Sequence, residues 1–129
     1  MILKINKNNN DFYNIMGRYF ADRSFIKELD CQLYDENCEW YLYQESDSIK
    51  GFASIQNKNN YFYLDNFYVF EEYRNEGIGQ KIVNEIIKEY ENIKLISRNE
   101  AAIHIFKKVG FVECGENGRY KKLQRKCFK

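Results

Sequence analysis

The chain of 129 residues contains no proline and one histidine, His104. Without proline, no turn is stiffened by a ring, so bends fall to Gly, Asn, Asp and Ser. The four cysteines, Cys31, Cys38, Cys114 and Cys127, form no C-x-x-C pair. With a lone histidine they offer no zinc-like ligand spacing, and we expect reduced thiols and no metal. Charge of one sign is also missing. Twenty Lys and Arg against 19 Asp and Glu give a formal net charge of +1, which argues against a nucleic-acid partner. No apolar run approaches the length of a membrane span. The start, Met1-Ile2-Leu3-Lys4-Ile5-Asn6-Lys7, has no signal-peptide core. The expected setting is the cytoplasm, with no membrane partner.

What is present suits one domain over residues 1–129. The chain is 44% apolar and 17% aromatic, enough for a single core rich in Phe and Tyr. A first short strand ends at the polar turn Asn8-Asn9-Asn10. Residues 11–29 place Phe12, Ile15, Met16, Tyr19, Phe20, Phe25, Ile26 and Leu29 at helical spacing, broken near Asp22-Arg23-Ser24, which predicts two short helices. Three strands follow, around 40–43, 51–55 and 61–70, joined by the turns Ser46-Asp47-Ser48 and Asn57-Lys58-Asn59-Asn60. Ile78, Ile82, Val83, Ile86, Ile87 and Tyr90 then line one face of a helix over 77–90. A strand at 94–97 leads to a second helix, capped by Asn99 and ended by Gly110. Residues 111–114 and 120–123 read as a closing hairpin around Gly115-Glu116-Asn117-Gly118. The order β-α-α-β-β-β-α-β-α-β-β predicts an α/β fold with a mixed sheet (α+β in character), in which strands 61–70 and 94–97 run parallel.

The most informative stretch runs from Val69 through Arg74-Asn75-Glu76-Gly77-Ile78-Gly79-Gln80. A strand ends, the chain turns, and an amphipathic helix opens at glycines. The first turn of a helix leaves N–H groups without partners, and its dipole adds positive character there. That combination suits a phosphate. Gly77 and Gly79 keep side chains out of the way and tolerate unusual dihedrals. Arg74 can add a charge-assisted contact. No Gly-Lys-Ser/Thr follows, and the third glycine of the dinucleotide fingerprint is absent. On these residues alone, a phosphate cradle and a turn merely punctuated by glycine remain two readings.

Arg74-x-x-Gly77-x-Gly79 resembles the acetyl-CoA pyrophosphate loop of the GNAT N-acetyltransferase superfamily, Arg/Gln-x-x-Gly-x-Gly/Ala. The preceding Leu64-Asp65-Asn66-Phe67-Tyr68-Val69 resembles that family's strand before the loop. Asn99-x-x-Ala102-x-x-x-Phe106-x-x-x-Gly110-Phe111 resembles its second motif. By motif the resemblance covers residues 64–111, and element order extends it to the rest of the chain.

The resemblance implies a GNAT-like fold whose two parallel strands splay to admit the pantetheine arm of acetyl-CoA as a co-substrate. Carried over, Phe67, Tyr68 and Val69 offer main-chain groups to that arm, with a peptide N–H near Tyr68 and Val69 facing the thioester oxygen. Asn75, Glu76, Gly77, Ile78, Gly79 and Gln80 wrap the diphosphate. Asn99 reaches the pantetheine amide, and Phe106 packs against the arm. Asp65 stands where relatives carry an acid near the amine, which must lose a proton to attack. The implied acceptor is a primary amine, on a small molecule, a peptide N-terminus or a lysine. Pairing into a homodimer is expected by the same analogy.

The sequence departs from the family at two positions. Glu71 replaces a common proline that only stiffens the turn. Phe106 replaces the tyrosine that protonates the departing thiolate, and phenylalanine has no proton to give. Water or another tyrosine, Tyr68 or Tyr120, then supplies it; or the thiolate leaves unaided; or the chain is a non-catalytic acyl-CoA-binding module. His104 reads as a surface or half-buried histidine. The basic segment 119–126 reads as a guarded edge strand or as an attraction for the 3′-phosphate of CoA or an acidic substrate.

Overall fold

The structure is a computed structural model, which describes residues 1–5, 38–46 and 48–126. The two helices expected over 11–29 lie outside the described residues, as do the turn at Asn8-Asn9-Asn10, Asp47, Cys31 and Cys127.

Seven strands form one sheet in the order β1-β2-β3-β4-β5-β7-β6. They are β1 (Ile2–Ile5), β2 (Cys38–Glu45), β3 (Ser48–Asn57), β4 (Phe62–Val69), β5 (Ile93–Ser97), β6 (Val112–Asn117) and β7 (Tyr120–Arg125). Helix α1 (Ile78–Glu89) joins β4 to β5, and α2 (Glu100–Lys108) joins β5 to β6. Neighbouring strands run antiparallel except β4 and β5, which are parallel. Among the described residues no helix is long and apolar enough to cross a membrane.

Both faces of the sheet are apolar. On one, Tyr41, Ala53, Ile55, Leu64, Ile93 and Leu95 meet Ile78, Ile82, Val83 and Ile86 of α1 and Ile103 and Phe106 of α2. The α1 residues recur at the spacing of one helical stripe, so α1 covers the sheet with a single face. The other face gathers Trp40, Leu42, Ile49, Phe52 and Tyr68.

Helix ends follow local chemistry. The Asn99 side chain accepts from Ala102 N–H, an N-cap. After α2, Gly110 takes φ +101° while Phe111 N–H reaches back to Phe106 C=O, the closing bond of a left-handed C-cap.

The closing hairpin differs from the sequence expectation. Gly115-Glu116-Asn117 belong to β6 and do not turn. A bulge between Glu113 and Gly115 takes up one residue, and the chain reverses at Gly118, whose φ of +63° only glycine adopts freely.

Candidate functional site

The β4–β5 pair is bonded at one end only. Phe62 pairs with Ile93 and Tyr63 with Lys94, and no partner follows, although β4 runs on to Val69 and β5 to Ser97. The separation starts beside a bulge in β4. Opposite β3, Ser54 faces Asp65 but Phe52 faces Tyr68, so three steps on β4 match two on β3. Asn66 sits in that bulge with φ +52°, a conformation asparagine tolerates better than most residues. Because cross-strand partners share a face, the extra residue puts Asp65 and Tyr68 on the same side of the sheet. In a regular strand, residues three apart point to opposite sides.

Beyond the bulge the main chain opens toward the gap. Phe70 N–H donates to Lys50 C=O, and Tyr68 C=O lies 2.9 Å from where a Cβ on Gly51 would stand. These groups therefore face β3. Alternation sends the N–H and C=O groups of Phe67 and Val69 the other way. Val69 C=O accepts from Arg74 Nε at 2.8 Å, which ties the loop to the strand end.

A 3-10 turn (Glu71–Tyr73) carries the chain to α1. Asn75 and Gly77 both have left-handed backbones, with φ +68° and +81°. Alternating left-handed residues before a helix turn successive N–H groups toward a common point, a main-chain anion nest. Among the described residues no backbone carbonyl accepts from the N–H groups of Asn75, Glu76, Gly77, Ile78, Gly79 or Gln80. The open space around Gly77, with nothing within 4 Å of its absent Cβ, suits a close phosphate.

The two glycines work differently. Gly79 is buried and has no left-handed backbone. A Cβ there would lie 2.8 Å from Phe67 Cζ and 3.2 Å from Ile105 Cδ1. Dihedral freedom, expected of both, applies to Gly77 alone; Gly79 is small so that α1 can close onto Phe67 and Ile105.

The far wall comes from β5 and α2. Ser97 Oγ accepts from Asn99 N–H. Asn99 Oδ1 is occupied by its cap bond, so its Nδ2 is the atom that can meet a ligand. Phe106, 2% exposed, packs at a tilt with its ring centre 5.1 Å from that of Phe67 and 5.3 Å from that of Phe111, so it is both core and wall.

Together these surfaces bound a cleft of about 1120 Å³. Asp65, Phe67, Tyr68, Val69, Arg74, Asn75, Gly77, Ile78, Gly79, Gln80, Asn99 and Phe106 all line it; Glu76, the remaining expected site residue, does not. The structure adds cleft residues that sequence reasoning left out, Tyr73, Ser97, Arg98, Ile105 and Lys108; His104 is exposed, as expected, and its exposed side borders the cleft. The four-residue spacing of His104 and Lys108, with Ala101 before them, was the available signal, because it marks one helix stripe. Tyr120 also lines the cleft, with the Arg98 guanidinium 5.8 Å from its ring centre.

Asp65 is the carboxylate of the cleft. Burial pushes its pKa above the ordinary carboxylate value; the Asn66 N–H on Oδ1, at 2.8 Å, and the charge of Lys58 pull part of the way back. Tyr68, 8% exposed, packs near Phe52 and Phe70 and has the Arg74 guanidinium 5.4 Å from its ring centre.

A mixed sheet splayed at its one parallel pair, with an anion nest beside the gap, defines an acyl-CoA N-acyltransferase. The model of the acetyltransferase (GNAT) family matches residues 8–111, and the chain belongs to that family, whose acyl donor is acetyl-CoA. It is 28% identical to the spermine/spermidine N(1)-acetyltransferase of Bacillus subtilis, over 72% of this chain and 74% of that protein. Among solved structures, a GNAT family acetyltransferase from Elizabethkingia anophelis with acetyl-CoA bound superimposes with a TM-score of 0.69 at 16% identity, covering 98% and 97% of the two chains. An acyl-CoA N-acyltransferase from Pseudomonas aeruginosa gives 0.73 at 8% identity, covering 97% and 98%. Such low identities carry the fold and leave substrate open.

Proposed function

We propose that this enzyme transfers the acetyl group of acetyl-CoA to a primary amine of a small molecule or peptide by direct attack in a ternary complex. The observation that carries this reading is the gap between β4 and β5, opening onto the unpaired N–H groups of Asn75 to Gln80. The relative that acts on spermine and spermidine makes small aliphatic polyamines the first acceptors to try.

In this reading the diphosphate rests on the nest of Asn75, Glu76 and Gly77 and on the first turn of α1, Ile78, Gly79 and Gln80, with Arg74 alongside. Lys108 on the cleft stripe of α2 offers countercharge to the remaining phosphate, and His104 beside it offers a ring N–H. The pantetheine arm lies along β4 as a substitute strand, bonded to the main chain of Phe67 and Val69 and to Asn99 Nδ2. The Val69 N–H, facing the gap, polarises the thioester carbonyl. The amine nitrogen attacks that carbon, and the N–H holds the oxyanion that forms. Asp65 orients the amine and takes its proton through water; the upward push from burial makes it a stronger base than an exposed aspartate. The C–S bond then breaks, the amide is complete, and the thiolate takes a proton. Phe106 cannot give that proton, so Tyr68, on the Asp65 side of the sheet, is assigned the role.

Phe106 also favours a second reading, a non-catalytic acyl-CoA-binding module. Measuring free thiol with acetyl-CoA and a panel of spermine, spermidine, short diamines and peptides separates the two. Amine-dependent release supports transfer. CoA binding with no amine-dependent release across the panel would establish the binder.

A further inference from the structure

Ser54 and Asn66 are polar side chains buried to 1% and 3% exposure, outside the roles described so far. Burying such groups is unfavourable unless they are bonded, and here they bond to the β4 bulge. Ser54 Oγ donates to Asp65 C=O at 3.2 Å. Asn66 Nδ2 donates to Ser54 Oγ at 3.0 Å. Asn66 N–H donates to Asp65 Oδ1 at 2.8 Å. Ser54 is also the cross-strand partner of Asp65.

A bulge inserts one residue, and the hydrophobic pattern alone does not say where along a strand it sits. Moving it by one position turns a residue from one face to the other. Before the bulge the faces are set by Leu64, which packs toward α1. After it they are set by Tyr68, which packs beside Phe52. Asp65 lies at the boundary, and the Ser54–Asn66 pair fixes its face and the direction of its carboxylate.

We propose that Ser54 and Asn66 are positioning residues for acetyl transfer: they pin the bulge immediately after Asp65 and so hold the Asp65 carboxylate and the Tyr68 side chain on one face beside the gap. This rests on the reading of Asp65 as the group that handles the amine.

The test is steady-state kinetics on Ser54→Ala, Asn66→Gly and the double variant, alone and combined with Asp65→Asn, using the best acceptor of the panel. Glycine adopts the Asn66 backbone readily, so Asn66→Gly removes the amide while allowing the bulge. Each single variant is expected to lower kcat about tenfold to a hundredfold, the range expected for a small misplacement of a reacting group. KM for acetyl-CoA should change by less than about twofold, because the nest is untouched. The double variant should be no slower than the worse single, since both act through one device, and each should slow the Asp65→Asn enzyme by less than it slows the parent, because only the part that acts through Tyr68 remains. A folded Ser54→Ala enzyme with unchanged kcat, when Asp65→Asn is impaired, overturns the positioning role alone. Full turnover by Asp65→Asn overturns the reading of Asp65 itself. Multiplying losses in the double variant overturn the shared lock.

Discussion

The ring of Phe67 occupies the place where Gly79 would carry a side chain, with 2.8 Å between Phe67 Cζ and the Cβ position. This contact joins the strand assigned to the pantetheine arm to the helix whose first turn is assigned to the diphosphate. Gly79→Ala forces ring and helix apart. We expect a loss of about 1–3 kcal/mol, as for other overpacked sites, read as a lower melting temperature.

Gly77→Ala should behave differently, because nothing crowds that position and the strain lies in its φ of +81°. Forcing alanine into a left-handed backbone costs about 1–2 kcal/mol, and relaxing it turns the nest N–H groups away. The expected signature is a raised KM for acetyl-CoA, measured with kcat for comparison.

Asp65→Asn is expected to trade activity for stability. Burial raises the Asp65 pKa in the folded protein, so the native state holds this proton more tightly than the unfolded chain. Its favourable contribution is complete below the unfolded value of about 3.9 and is lost as pH rises through the raised folded value. Asparagine escapes that loss. Denaturant titrations should find the variant more stable than the parent at pH 7, with the difference closing toward pH 4, while acetyl transfer falls.

Lys108→Ala removes a cation from the cleft stripe of α2. An exposed charge contact with a phosphate is worth on the order of 1 kcal/mol, or about fivefold in affinity. KM for acetyl-CoA should rise by about that factor. A donor lacking the 3′-phosphate should be indifferent to the substitution if that phosphate is the one contacted.

Tyr68→Phe tests the proton donor assigned in place of Phe106. The expected result is a fall in kcat of about a hundredfold, the lower end of the range for acid–base groups, with KM for acetyl-CoA unchanged. Amine-dependent thiol release measures both.

Much of this arrangement was legible in the sequence because it depends on local signals. Period-2 and helical patterns located the described strands and helices, and the glycines after Arg74 marked the loop to which we assign the diphosphate. Asn99 and Gly110 cap as their chemistry predicts. The β4 bulge was not legible: an asparagine inside a strand is weak evidence for a left-handed residue, and the displaced register appears only against β3. The packing role of Gly79 was not legible because the ring that fills its space comes from Phe67, twelve residues earlier. His104 and Lys108 lie on a solvated helix face, as polar residues ordinarily do; that this face borders the cleft appears only in the fold.

The most direct test is an NMR titration of ¹⁵N-labelled protein with CoA. The account predicts that the largest amide shifts fall on Asn75 to Gln80 and on Phe67 and Val69, whose N–H groups face the nest and the gap. Tight binding that leaves those amides unmoved, with shifts clustered elsewhere on the sheet, would contradict it.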